Sequence, residues 1–207
     1  MMTCKPLVLI VEGPDRCGKG TFIEEFCSIT TTSNIIRLHS GKPPNITGIA
    51  LGDYNICHKE QKKWAQKYNQ RLLHNVNILS KTNDIIILDR SYIGEYVYGN
   101  MYRKADYSNR DFNDFELDNL KLNDINCVLI NFSDSAENLI KRDDGNSHST
   151  DIERKNEELN RFVELHKISI IEEKYMINWS NTEFSKQNLR EYSHSILKTW
   201  GRKYYGS

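Results

Sequence analysis

Five consecutive apolar residues, Leu7-Val8-Leu9-Ile10-Val11, lead almost directly into Gly13-Pro14-Asp15-Arg16-Cys17-Gly18-Lys19-Gly20-Thr21. This junction restricts the chain more than any other stretch. A β-favouring run without polar alternation fits a strand buried on both faces, as in a parallel sheet. Gly13 and Gly18 permit a tight loop whose backbone N–H groups turn inward on an anion. The segment from Lys19 to about Ser28 reads as a helix, and its positive end meets the same loop. Lys19 supplies a compact positive charge for outer phosphates. The pattern departs from Gly-x-x-x-x-Gly-Lys-[Ser/Thr], because Gly20 takes the hydroxyl position and Thr21 comes one later. An ordinary Gly-rich turn with an exposed lysine is the alternative, but it has no need of a buried strand before it and a periodic helix after it.

The same alternation continues along the chain. Thr30–Ser33 reads as a loop, Ile35–Leu38 as a short strand ending at His39-Ser40-Gly41, and Pro43-Pro44 as a turn. Between His58 and Lys81, the residues Trp64, Tyr68, Leu72, Val76 and Leu79 lay an apolar stripe along one helix. Ile85–Leu88 is a third strand, closed by Asp89-Arg90-Ser91, and Tyr92–Arg103 is a helix whose Tyr98–Arg103 end has no assigned role beyond Arg103 as a residue that can face the site. Asn109–Asp124 is polar and ambiguous. Cys127–Ile130 is a fourth strand, and Asp134 with Glu137 reads as a capping pair for the helix holding Leu139 and Ile140. Thr150 with Glu153 opens a long helix with Leu159, Phe162, Val163 and His166 on one face. Tyr175–Ile177 forms a last strand, and Leu189, Tyr192, Ile196 and Trp200 share a side of the last helix. Strands alternating with helices predict a parallel sheet covered on both faces.

Composition narrows the partners. Lysine plus arginine equals aspartate plus glutamate at 28 each, so no global field draws in nucleic acid or an anionic membrane. Cys4, Cys17, Cys27, Cys57 and Cys127 are odd in number and irregular in spacing, which points to neither a disulfide framework nor a zinc site. A reducing, cytoplasmic setting follows. Abundant Asn, Lys and Ile fit an AT-rich genome, such as that of a virus or parasite, in which case the setting is the host cytoplasm. No targeting segment and no apolar run of about 20 residues is visible.

Two families share the loop. Gly18-Lys19-Gly20-Thr21 resembles the adenylate kinase loop, which accepts glycine after the lysine. Glu12-Gly13-x-Asp15-Arg16-x-Gly18-Lys19 resembles thymidylate kinase, in the group that keeps an arginine inside the loop. The resemblance implies that Gly13, Asp15, Arg16, Cys17, Gly18, Lys19, Gly20 and Thr21 hold the phosphates of ATP. It implies that Arg16 stabilises charge on the transferred group, and that Asp15 contacts the acceptor sugar. Asp89-Arg90 stands where thymidylate kinases carry an Asp-Arg pair, while deoxynucleoside kinases carry Glu-Arg-Ser or Asp-Arg-Ser. An aspartate at a strand end can hold Mg²⁺ through water, with Thr21 on the loop side, and an arginine can grip an acceptor phosphate bidentately. Lys19, Arg16, Asp89 and Arg90 are thus the expected catalytic set. His39, Arg71, Ser91 and Tyr92 join Asp15 and Arg90 as candidate acceptor contacts, with a structural role for His39 equally open.

Leu139-Ile140-Lys141-Arg142 resembles the Leu-x-x-Arg that leads into a nucleotide-kinase lid. The resemblance therefore implies one P-loop kinase domain over 1–207, with about five parallel strands and a lid at 142–152 from which Arg142 reaches the nucleotide. The expected reaction is transfer from ATP–Mg²⁺ to a deoxynucleoside monophosphate. The alternatives are a deoxynucleoside kinase, a kinase acting on a polynucleotide or a modified base in DNA, and a nucleotide-binding sensor without turnover. No membrane partner is expected. A homodimer is implied by the relatives alone.

Overall fold

A computed structural model describes residues 6–30, 33–40, 58–121, 127–145, 147–179 and 186–205. Cys4, Cys57 and the Gly41 and Pro43-Pro44 turn lie outside them, as does Asn146 within the expected lid.

Five strands form one parallel sheet: β1 Leu7–Glu12, β2 Ile35–His39, β3 Ile85–Asp89, β4 Cys127–Ser133 and β5 Glu173–Asn178, in the order β2-β3-β1-β4-β5. The register sets Val11 beside Asp89 and Asp89 beside His39, with Glu12 beside Asn131. The carboxyl ends of the central strands therefore open on one edge, where α/β sheets collect ligands. Every residue of β1 is buried, which accounts for its unbroken apolar run.

The helices are α1 Lys19–Ile29, α2 His58–Leu79, α3 Tyr92–Arg103, α4 Asn109–Glu116, α5 Ala136–Lys141, α6 Ile152–Ile168 and α7 Lys186–Tyr205. Alternate strand residues feed two cores. Leu7, Leu9, Ile87 and Ile130 meet Phe22 and Phe26 of α1 and Leu189 and Ile196 of α7 on one face. Val8, Ile10 and Leu88 meet α2, α3, α4 and α6 on the other.

Several local expectations change. The polar stretch from Asn109 folds as α4, opened by a reciprocal Ser108–Asp111 capping box, and a π-helical turn at Leu117–Lys121 continues it. Helix α5 is capped by Ser135, not Asp134, because the Ser135 hydroxyl accepts from the Asn138 amide. Asp134 instead accepts from the Ser135 amide, the Asn138 side chain and Arg142. Asp151, not Thr150, caps α6 by accepting from the Arg154 amide. Helix α2 turns Ala65, Asn69, Leu73 and Val76 inward, so the expected stripe of Trp64, Tyr68 and Leu72 is its half-buried flank. Trp64 and Tyr68 stack on each other there, with planes 11° apart.

Candidate active site

The loop between β1 and α1 has the geometry that its glycines demand. Gly13 (φ 131°) lies against the Phe132 carbonyl oxygen, where a Cβ would collide. At Gly18 (φ 94°) a Cβ would stand 2.8 Å from the Trp179 ring. Gly18 is also the N-cap of α1, and it offers no side chain to the first-turn amides, nor does that turn carry an acidic residue. Those N–H groups are left for an anion. Gly20 differs, since nothing lies within 4 Å of a Cβ built there.

Lys19 is 7% exposed, and its ammonium lies within the loop, donating to the carbonyls of Gly13 (2.7 Å) and Pro14. The Cys17 thiol donates to the Pro14 carbonyl at 2.8 Å, and burial pushes its pKa up. Cys17 therefore supports the loop as a packed thiol and not as a nucleophile.

Two residues hold a left-handed backbone without being glycine at this edge: Arg16 (φ 67°) and Arg90 (φ 70°). Such positions persist where the surroundings over-determine them, and they gather at functional sites. The Arg16 guanidinium pairs with Asp144 of the 142–152 segment, and that of Arg90 pairs with Asp15. Arg142 pairs with the buried carboxylate of Asp134, and its Nε donates to the Asn138 carbonyl. These cations are thus held in place on carboxylates or carbonyls beside the loop.

A cavity of about 800 Å³ lies over the loop, bordered by Lys19, Thr21, Asp89, Arg142 and Trp179 among others. That size suits a nucleotide. Asp89 stands at its floor, with Oδ2 accepting from Arg37 and lying 2.9 Å from His39 Nδ1. Burial by itself would raise the Asp89 carboxyl, but the hydrogen bonds and charge of Arg37 and His39 bring it below its ordinary value. Arg37 and His39 reach it together because they alternate on one face of β2.

A second, tighter cavity of about 60 Å³ opens behind Arg90 and Ser91, between α2 and α3. Glu12 and Glu95 border it. Glu12 is 1% exposed, and its Oε1 accepts from the Ser91 amide, from the Ser91 hydroxyl at 2.7 Å and from the Gly94 amide at 3.4 Å. Burial raises its pKa, against the lowering effects of Ser91 and Lys19. Glu95 pairs with Arg103 and accepts from the Tyr107 hydroxyl at 3.2 Å. Burial raises Glu95 too, against the charge of Arg103. Asn69 presents itself from α2.

Most of the expected residues meet on this edge. Asp15, Arg16, Gly18, Lys19, Gly20, Thr21, His39, Asp89, Arg90 and Arg142 border the larger cavity, and Gly13, Arg90 and Ser91 the smaller. Ser91 spends its hydroxyl on Glu12 while capping α3. Two expectations need correction. Tyr92 is fully buried in the apolar core against Phe112 and Phe115, and its hydroxyl donates to Glu116 at 2.7 Å. It cannot touch an acceptor from there. Arg71 is exposed and borders neither cavity among the described residues. It follows Asn69 by two positions, which turns it about 200° around α2 from the cavity face.

Sequence reasoning missed Glu12 as more than a motif letter, and also Glu95, His148 and Trp179, while Arg103, expected to face the site, does border the smaller cavity. Spacing gave no sign of them, since their side chains converge from α3, the 143–151 loop and the end of β5. The distinctive Tyr98–Arg103 run was the one available signal.

A parallel sheet of this order, with a glycine-shaped loop between its central first strand and a helix, is the P-loop fold of nucleotide kinases. Solved structures that share it include thymidylate kinase from Candida albicans, which aligns over 95% of this chain and 93% of its own, with TM-score 0.66 and 13% identity. The YorR protein from Bacillus subtilis, solved in complex with phosphorylated GDP, aligns over 95% of this chain and 96% of its own, with TM-score 0.58 and 16% identity. No family model and no curated protein sequence matches the chain. Among the described residues, no helix is long and apolar enough to cross a membrane.

Proposed function

We propose that the protein is a P-loop kinase that transfers a phosphoryl group from ATP to a deoxynucleoside monophosphate. The observation that carries this reading is the meeting of two cavities at Arg90: one over the phosphate loop, one reaching into the α2–α3 side. A donor in the first would face, across that guanidinium, an acceptor whose phosphate lies at the junction, since the second cavity, at about 60 Å³, is too small for a whole nucleotide.

Lys19 and the open amides of α1 would take the outer phosphates of ATP. Arg16 would exchange Asp144 for the transferred group, and Arg90 would exchange Asp15 for the acceptor phosphate, bidentately. Positioning and charge then suffice, since a phosphate monoester has its second pKa near ~6 and needs no strong base. The donor set fits magnesium. Thr21 and Asp89 border the same cavity, and Asp89 Oδ1 takes no partner among the described residues. Mg²⁺, when bound, would neutralise and orient the phosphates. We read the 142–152 segment as a lid, because Asp144 and Ser147 border the donor cavity from it.

A deoxynucleoside acceptor is the second reading, and Glu12 favours it. A buried carboxyl with a raised pKa in the acceptor cavity is a candidate base toward a hydroxyl. His39 is a weaker candidate, because it is 56% exposed and rests on Asp89.

The test is ADP release from ATP–Mg²⁺ in the presence of deoxynucleosides, their monophosphates or DNA oligomers. Stimulation by a monophosphate alone is expected. Stimulation by a nucleoside alone transfers the case to the second reading, and stimulation by no acceptor removes the kinase assignment.

A further inference from the structure

Among the described residues, two side chains border both cavities, Arg90 and His148. The reaction outlined above gives Arg90 a task and leaves His148 without one. The His148 ring stacks on Tyr102, with centroids 4.7 Å apart and planes 21° from parallel, and it meets Tyr98 at 5.3 Å. Its support is built deep into the fold. The Tyr98 hydroxyl donates to Glu158 at 2.6 Å, and Glu158 pairs with Lys155 at 3.1 Å, both side chains being almost fully buried. A buried ion pair is a weak source of stability. Here it fixes the Tyr98 ring, and with it the surface on which His148 rests. The Tyr102 hydroxyl is buried without a partner among the described residues, and the Tyr102 ring meets His148 by stacking.

We propose that His148 is a further acceptor-positioning residue, whose imidazole N–H donates to the acceptor's phosphate across the cavity junction from Arg90. This rests on the reading that the acceptor is a nucleoside monophosphate. Arg90 offers a fork of donors, and His148 adds one directional donor. Two donors on one phosphate fix its rotation for in-line attack. Asp144, on the same short segment, pairs with Arg16, so this segment addresses the donor loop and the acceptor at once.

The inference is tested with His148→Phe, which keeps the stack and removes the donor, and His148→Gln, which keeps a donor and removes the ring. Thymidine, deoxyguanosine, deoxycytidine and deoxyadenosine monophosphates, and the matching nucleosides, are titrated calorimetrically with a non-hydrolysable ATP analogue present. The Phe variant is expected to weaken binding of the preferred monophosphate, and to raise its KM, by about tenfold or more, the scale of one charge-assisted hydrogen bond. ATP KM should stay within about twofold and nucleoside binding should not change, while Gln restores part of the loss. A Phe variant that binds the monophosphate like wild type overturns the assignment, as does an equal loss for the nucleoside. If wild type binds a monophosphate without turnover, the kinase reading fails and the binding comparison still decides on His148. If it binds none of the four, the His148 assignment falls as well.

Discussion

Arg16 and Arg90 each sit in a left-handed backbone conformation, and each lends its guanidinium to an aspartate. Such a conformation costs a non-glycine residue on the order of 1–3 kcal/mol. An arginine that serves the transferred group from this position acts on turnover more than on binding. Arg16→Ala is therefore expected to lower kcat by about 10³-fold, with the KM for ATP changed only a few-fold. Unchanged turnover would remove its role. The loop glycines divide in the same local terms. Gly18→Ala meets both a positive φ and the Trp179 ring, and should cost about 1 kcal/mol or more in urea unfolding. Gly20→Ser enters open space and should cost under about 0.5 kcal/mol. Equal losses would show that the loop is shaped by something other than these contacts. Asp89 supplies a pH signature. Its folded pKa lies below its ordinary value, so its contribution is present above about pH 4 and fades as pH falls through the lowered value. The stability gap between wild type and Asp89→Asn should narrow as pH falls below the ordinary carboxylate range, and a gap that stays unchanged as acid is added would contradict the Arg37–Asp89–His39 linkage.

Helix α6 shows how an element is pinned by polar groups inside an apolar face. Lys155 and Glu158, one turn apart and 2% and 1% exposed, face inward with Leu159 and Phe162. Neutralising one partner strands the other charge. Lys155→Met is expected to cost about 3–5 kcal/mol and to lower Tm by roughly 10 °C or more in calorimetry. Lys155→Met with Glu158→Gln, which keeps an acceptor for the Tyr98 hydroxyl, should recover much of that loss. A single variant as stable as wild type would mean that the pair is not desolvated. Helix α7 is tied to α1 differently, through Arg190 and Lys186 on Glu25 at 2.7 and 3.5 Å, above the contact of Leu189 and Ile196 with the first core. The burial of α2 and the caps of α5 and α6 were displaced by one residue from the sequence reading. Apolar spacing gives a helix its period but tolerates a rotation of one position, and neighbouring polar residues compete for the same cap.

For the whole molecule, ligand binding and stability are linked. ATP–Mg²⁺ at about 100 times its Kd should stabilise the native chain by about 2.7 kcal/mol, a Tm rise of roughly 5–10 °C for a chain of this size. Lys19→Ala should abolish most of the rise, whereas an unresponsive wild type would deny the loop its anion. The sequence alone pointed to the parallel sheet, because short apolar runs such as Leu7–Val11, rich in β-branched residues and followed by a glycine turn, suit a strand covered on both sides better than a buried helix. It also determined the loop, since glycines, lysine and helix start are neighbours in the chain and their geometry is local. Asp89-Arg90 was legible for the same reason, as a polar pair that ends a buried strand. Only the tertiary structure decided that Tyr92 belongs to the core and that Arg71 faces away, for a helix presents all its faces until packing selects one. It alone joined Asp144 to Arg16, Asp15 to Arg90, and His148 to Tyr98 and Tyr102. Partners so distant along the chain leave no period or spacing to read, and meet only where separate elements are brought together at one edge of the sheet.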